Sequence, residues 1–377
     1  MQINLMDPGL VQFAGHHFDI DLRVARALRE DGHDVHVYAH RVAADPVVSE
    51  LSAVAPVTRL FRAGPYEYPN RQDPVAGELL VYNQHSSALA KDLRSVREAD
   101  LWLWPSIFAP QLHACAIAAR GVPVAGCVHT DVRSEEWPSG PMFWRHALLS
   151  LQWMKIPLRL GAIEPEHRYG YLPLTTDDRF ECFPIQHEGR RRSGVGKELS
   201  TIGFLGHQRQ EKGTALLSDL IRRLLEEGHR VVLQDSGNRN LLQPHPNLVR
   251  TGFVPDIAEL IAQCDLVVLP YDPDRYRTKG SGILWESLAT GVPVVAPFGT
   301  APGRWIEATG AGTLFSRAGA DSIMDAIRAA KDRFEAITEA ATKVAQRWPS
   351  EHGTKQFARA LSAQFEPTGS APTAAAE

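Results

Sequence analysis

Apolar and polar positions follow two periods in turn along almost the whole chain. The short runs "QINLM", "DVHVYAH", "DLWLW" and "VPVAGCVHT" are continuously apolar or alternating and read as strands. Between them, "HFDIDLRVARALRED" and "PQLHACAIAARG" carry apolar residues at helical spacing, and Gly32 stops the first. Strands and helices in this alternation build a parallel sheet with helices on both faces. The pattern weakens over residues 130–180, where tryptophans and prolines cluster. It resumes with "LSTIGFLG", "ALLSDLIRRLLEEG", "HRVVLQD", "NLVRTGFV", "DIAELIAQC", "DLVVLPY", "GILWESLATG" and "VPVVAP", a second parallel sheet. Between the two sets, "QHEGRRRSGVGKE" is charged, glycine-containing and aperiodic, as linkers are.

These patterns predict a Rossmann-like domain over 1–187, a linker over 188–198 and a second such domain over 199–345. They also predict a C-terminal helix over 346–366 that returns to the first domain, and a disordered tail over 367–377. Two doubly wound domains imply a cleft, with ligands beyond the carboxyl ends of the strands.

Composition narrows the function classes. A chain of 377 residues with 44% hydrophobic residues has room for two cores. A net charge of −4 gives no case for nucleic-acid binding. Cys115, Cys127, Cys182 and Cys264 form no CxxC pair and read as buried, reduced thiols. The sequence opens on a strand without a leader pattern, and no run approaches the roughly 20 apolar residues of a membrane span. The expectation is a cytoplasmic protein. Residues 137–161 hold Trp137, Trp144, Trp153, Arg145, Lys155 and Arg159 at helical spacing. A partly buried helix is the favoured reading there, and an interfacial helix making a peripheral membrane contact is the alternative.

Candidate chemistry concentrates in "YRTKGSGILWESLATGVPVV". Gly280 and Gly282 leave amides unobstructed at the start of a helix, where unpaired N–H groups and the helix dipole favour an anion. Arg275, Arg277 and Lys279 add positive charge. Glu286 follows Ser281 by five residues, or roughly 7.5 Å along the axis. A nucleoside diphosphate spans that distance, with phosphates at Ser281, Gly282 and Ile283 and ribose on Glu286. The alternative is a capped structural helix with a solvated glutamate. "FLGHQRQEKG" adds Arg209 and Lys212 beyond another strand end, and Gly252, Phe253 and Val254 offer a turn that could face a base. Three loops at one sheet edge favour a nucleotide site.

The order "FLGHQRQEKG … NLVRTGFVPDIAELIAQCDLVVLPY … SGILWESLATGVPVVAP … GTLF" resembles the donor domain of GT-B glycosyltransferases, closest to the retaining enzymes of glycosyltransferase family 4. The resemblance is strong over 199–316 and architectural over 1–185. It implies that Gly206, His207, Glu211, Lys212 and Gly213 stand where the family has a Gly-Arg-Leu turn followed by Glu-Lys-Gly. His207 occupies the arginine position, and Arg209 stands in for that arginine. Of the family's two glutamates separated by seven residues, Glu286 matches the later, ribose-binding one. The earlier one, which contacts the donor sugar, is replaced by Thr278, next to Lys279. Asp272 or Asp274 could reach in instead.

The resemblance further implies an acceptor on the first domain, near Gly15 and His16 in "DPGLVQFAGHHFD". The alternative for His16 and His17 is a helix start with exposed imidazoles. It also implies a catalytic role for His129, at the end of a strand, with a structural hydrogen bond as its alternative. The implied function is transfer of a sugar from a nucleoside-diphosphate sugar to a glycan, lipid-linked saccharide or small molecule. Retention of configuration comes with the resemblance. No cofactor or metal is expected, since no Asp-X-Asp motif lies in a nucleotide-facing loop, and "DPD" at 272–274 precedes the basic loop. Lys212, Arg209 and the helix-start amides would stabilise the leaving diphosphate. A nucleotide-sugar 2-epimerase and a non-catalytic nucleotide- or sugar-binding protein of the same fold are the alternatives.

Overall fold

The computed structural model describes the chain except for residues 14–16, 66–73, 133–138, 176–179, 191, 193–195, 197, 236–242, 253, 255 and 366–377. Gly15, His16, Trp137, Phe253 and the C-terminal tail therefore lie outside the described residues. Two compact units form: Met1–Gln186 with the chain from Thr354 onward, and His187–Gly353.

Unit 1 is built on seven parallel strands: β1 (Gln2–Asp7), β2 (Asp34–His40), β3 (Val57–Phe61), β4 (Leu101–Trp104), β5 (Val124–Val128), β6 (Leu158–Ala162) and β7 (Phe180–Cys182). They lie in the order β3-β2-β1-β4-β5-β6-β7. The sheet is covered on both faces, so its central strands are buried along their length, as "LWLW" of β4 and "VAGCV" of β5 are. The Thr354–Ser362 helix packs on the His17–Glu30 helix, and Arg359 reaches Asp31 at 2.7 Å. The return to unit 1 therefore begins at Thr354. Residues 346–351 instead finish the Phe334–Glu351 helix of unit 2.

Unit 2 has six parallel strands: β8 (Thr201–Phe204), β9 (Arg230–Gln234), β10 (Leu248–Thr251), β11 (Leu266–Val268), β12 (Val294–Pro297) and β13 (Gly312–Phe315). Their order is β10-β9-β8-β11-β12-β13. The Leu217–Glu226 helix buries Leu217, Leu220, Ile221 and Leu224, the i, i+3, i+4, i+7 stripe of an amphipathic helix. The Gly282–Thr290 helix differs, because every residue from Ile283 to Thr290 is buried. Part of the segment expected to be a linker covers it: the Arg190 amide donates to Thr290 Oγ1 at 3.3 Å, and Arg192 pairs with Asp265 at 2.5 Å.

Among the cysteines, Cys115, Cys127 and Cys264 are buried, whereas Cys182, at the end of edge strand β7, is exposed. That corrects the expectation of four buried thiols. No helix of the described residues is long and apolar enough to cross a membrane. The Gly140–Trp153 helix buries Phe143, Trp144, Ala147, Leu148 and Leu151 and leaves Trp153 86% exposed. Leu151→Ala should cost about 2–5 kcal/mol of stability, the range for a core truncation. Trp153→Ala should change it by no more than about 0.5 kcal/mol. Denaturant unfolding of both variants checks this, and equal losses would contradict the one-faced burial.

Candidate functional site

The strand order of unit 2 reverses between β8 and β11, so the loops leaving those strands run to opposite sides. Open α/β sheets bind ligands at such a point. Both loops carry residues singled out in the sequence.

The loop after β8 turns at Gly206, whose φ of +88° favours glycine. A Cβ there would lie 2.9 Å from Ile283 Cγ1 and 3.3 Å from Lys212 Nζ. The bare backbone thus lets this loop rest on the start of the Gly282–Thr290 helix and brings Lys212 beside it. Gly213, at φ +74°, closes the turn so tightly that a Cβ would meet the Pro270 carbonyl oxygen at 1.9 Å. Two glutamines fix the turn. Gln234 Oε1 accepts from the Gly206 amide at 2.7 Å, and Gln208 Nε2 donates to the Gly206 carbonyl at 3.1 Å. Sequence reasoning passed over both. The signal available was a glutamine ending the otherwise apolar β9, "RVVLQ".

Lys212 Nζ stands 5.6 Å over the Tyr271 ring. Burial, then the charges of Arg209 and Lys279, push its pKa down to about 8, against the opposing charge of Glu211. Among the described residues no carboxylate lies within ion-pair distance of it. Arg209 is half exposed and pairs with Glu211 at 3.5 Å, and His207 is exposed.

The loop after β11 ends at Ser281, the N-cap of the helix, whose Oγ accepts from the Leu284 amide at 3.3 Å and meets Tyr271 OH at 3.1 Å. The Trp285 amide is used by the Ser281 carbonyl. The amides of Gly282 and Ile283 have no acceptor among the described residues, so an anion docking here finds free donors and the positive end of a buried helix. Lys279 is exposed, with Nζ 5.5 Å over the Tyr276 ring, and Tyr276 stacks on Tyr271 at 4.1 Å. Gly280 and Thr278 are partly buried. Asp274 pairs with Arg277 at 2.9 Å, and Asp272 Oδ1 accepts from the Asp274 amide at 3.0 Å. Both acids, exposed, are thus spent within their own turn. At the end of β10, Gly252 is exposed and Val254 partly buried.

Glu286 is 4% exposed, which removes the alternative of a solvated glutamate. Its Oε1 accepts from His187 Nδ1 at 2.9 Å, while its Oε2 is buried without a partner. A buried carboxylate oxygen without a donor is costly, unless a ligand hydroxyl supplies one. The His187 carbonyl is itself fixed by Trp348 Nε1 at 2.8 Å. His187 was not singled out in the sequence, because it is 99 residues from Glu286.

In unit 1, His129 follows β5 and its Nε2 bonds the Pro105 carbonyl at 2.8 Å. One ring nitrogen therefore has a structural role. A second group, of which only His17 was singled out in the sequence, lies in the same unit. Asp7 ends β1, at the strand-order reversal of this sheet, and accepts from His17 Nδ1 at 2.6 Å. His17 is 6% exposed, not at an open helix start, and its ring lies so close to Gly9 that a Cβ there would sit 2.3 Å from Cε1. Asp21, one turn further along the helix, is completely buried.

Burial alone would raise the Asp7 pKa, but the charge and hydrogen bond of His17 hold it below the usual value. Burial alone would lower the His17 pKa, and Asp7 more than reverses that. Burial, the Asp7 charge and a hydrogen bond to Asp7 push Asp21 well above 3.8. Among the described residues no donor faces Asp21, so it fits the site as a protonated, neutral acid beside Asp7. Its folded pKa is raised, so its contribution to stability falls as pH rises from its ordinary 3.8 through the folded value. Asp21→Asn keeps a neutral donor and has no such dependence. The variant's melting temperature should therefore gain on that of the parent between pH 4 and pH 8 (about, from the ordinary carboxylate value upward). Parallel curves would contradict a protonated Asp21.

The likeness to known proteins agrees with this geometry. Residues 199–332 match the family model described as "Glycosyl transferases group 1". No curated protein matches the sequence. Solved structures match along nearly the whole chain. The glycotransferase of kitacinnamycin is 19% identical, covering 97% of this chain and 99% of its own, with a TM-score of 0.65. HepE of Anabaena, in complex with UDP and glucose, is 16% identical over 97% and 99%, with a TM-score of 0.67. Sucrose-phosphate synthase of Thermosynechococcus elongatus is 12% identical over 97% and 98%, with a TM-score of 0.67. The chain has the α/β fold of the GT-B glycosyltransferases, two parallel sheets with flanking helices.

Proposed function

We propose that this protein is a glycosyltransferase that moves a sugar from a nucleoside-diphosphate sugar, held by unit 2, to an acceptor held by unit 1. The observation that carries the reading is the set of unsatisfied groups at the strand-order reversal of unit 2. Among the described residues, an ammonium with no carboxylate at ion-pair distance, two helix-start amides without acceptors and a buried carboxylate oxygen without a donor complement a diphosphate and a ribose. The match over 199–332 covers all of these residues. HepE, solved with UDP, makes UDP the first nucleotide to test.

In this reading, charge develops on the leaving diphosphate as the glycosidic bond breaks. Lys212 and the Gly282 and Ile283 amides neutralise it from fixed positions, the most effective form of electrostatic catalysis. Arg209 adds charge from the rim. Glu286, oriented by His187, receives the ribose hydroxyls. Thr278 gives the donor sugar a neutral hydroxyl where family 4 has a carboxylate. We propose membership of that family, retention of configuration and independence from divalent cations on the same basis.

Glu286→Ala should weaken UDP binding by about 1.5–3 kcal/mol, the range for hydrogen bonds to a charged group. His187→Ala should weaken it by less, about 1 kcal/mol, because the carboxylate remains but loses its orientation. Calorimetry on both variants checks this, and unchanged affinity in folded Glu286→Ala would remove the ribose assignment. The activity itself is tested by incubating the protein with nucleotide sugars, in EDTA and in Mg²⁺, and following release of the nucleoside diphosphate. Release that survives EDTA and needs an acceptor supports the reading. Isomerised donor, or nucleotide binding without turnover of any donor, would favour the epimerase or the binding protein.

A further inference from the structure

Unit 1 contains a cavity of about 100 Å³ at the carboxyl ends of β3, β4 and β5. Its walls include the rings of Tyr82, Phe108, Phe143, Trp144 and Tyr171. Those rings hold one another in place. Tyr82 stacks on Phe143 at 4.5 Å, and Trp144 meets Tyr171 edge-on at 4.9 Å. Leu89, Ala109 and Val132 complete the apolar lining.

Several polar atoms along these walls are already engaged within the protein. Tyr82 OH shares a 2.8 Å hydrogen bond with His146 Nδ1, and Tyr171 OH donates to the Thr130 carbonyl at 3.2 Å. Gln111 Oε1 accepts from the Phe108 amide at 2.8 Å. The cavity therefore offers mainly ring faces and methyl groups, with His85, Thr130 and Asp131 as its remaining polar lining. Most hydroxyls of a sugar entering it would face apolar surface, whereas an aromatic ring matches that surface. The cavity is smaller than the apolar cavities of about 150 Å³ that take up benzene, so it admits no more than a single ring. Thr130 and Asp131 line the same cavity, immediately after His129.

We propose that this cavity is the acceptor subsite and that it takes an aromatic ring, so that the acceptor is a hydroxylated aromatic compound rather than a glycan. The inference rests on the sugar-transfer reading, but the subsite can be examined without turnover.

The test is ligand-observed ¹⁹F NMR of 4-fluorophenol with the full chain, with phenol, 1-hexanol and methyl glucoside as competitors. Saturable binding is expected, displaced weakly by hexanol and not by methyl glucoside. Ala109→Leu and Leu89→Phe, which fill the cavity from different walls, should each weaken it by at least about tenfold, the discrimination apolar pockets achieve over a methylene or more. Melting curves establish which of the two variants is folded, and either one decides the matter. No saturable binding, binding equal in parent and folded variants, or displacement by methyl glucoside would overturn the aromatic subsite; hexanol displacing 4-fluorophenol more strongly than phenol does would overturn the ring in favour of an acyl chain. UDP calorimetry on the same samples reports separately on the donor site, so loss of UDP binding counts against the sugar-transfer reading and not against the cavity.

Discussion

Positive charge held largely out of water, with no carboxylate among the described residues at ion-pair distance from Lys212, is the constraint on which the nucleotide reading depends. Lys212 sits over the Tyr271 ring near two other cations, and burial and that repulsion bring its pKa down to about 8. Beside it begins a helix buried on every side, whose first amides are unpaired. Folding alone does not favour such a cluster, because each element raises the cost of the others. The protein holds it in place with structure that bears no charge: the left-handed Gly206 turn, the amide contacts of Gln208 and Gln234, and the Ser281 cap. A bound diphosphate would offset the repulsion, so the cost is recovered when the ligand arrives.

Much of this was legible in the sequence because the signals are local. Strand and helix periods give both parallel sheets, and the glycines of "GHQRQEKG" and "SGILWE" mark the turns at which backbone must approach closely. What escaped is non-local. His187 meets Glu286 across 99 residues, in a segment whose charge and lack of period suggest a linker. Asp7, His17 and Asp21 sit on a strand and a helix whose apolar pattern implies only packing, so nothing in their spacing announces a buried acid pair. Thr278 and His207 depart from the family pattern at visible positions. The structure adds that Asp272 and Asp274 are committed to their own turn.

Unit 1 shows the complementary economy. Several of its polar groups are satisfied among themselves, in the Asp7–His17 pair, the His129 contact to Pro105 and the tyrosine hydroxyls around the cavity. Unit 2 leaves polar groups open to a charged ligand, whereas the unit 1 cavity leaves apolar surface open. The two chemistries suit a reaction whose donor is an anion and whose acceptor is not.

Proton uptake on UDP binding tests the central claim most directly. Calorimetry near pH 8, in buffers of different ionisation enthalpy, should register a fraction of a proton taken up as the diphosphate restores the Lys212 charge. Lys212→Met should abolish that uptake and weaken binding by about 1.5–3 kcal/mol. Tight binding without proton uptake, unchanged in Lys212→Met, would show that this cluster does not hold the diphosphate.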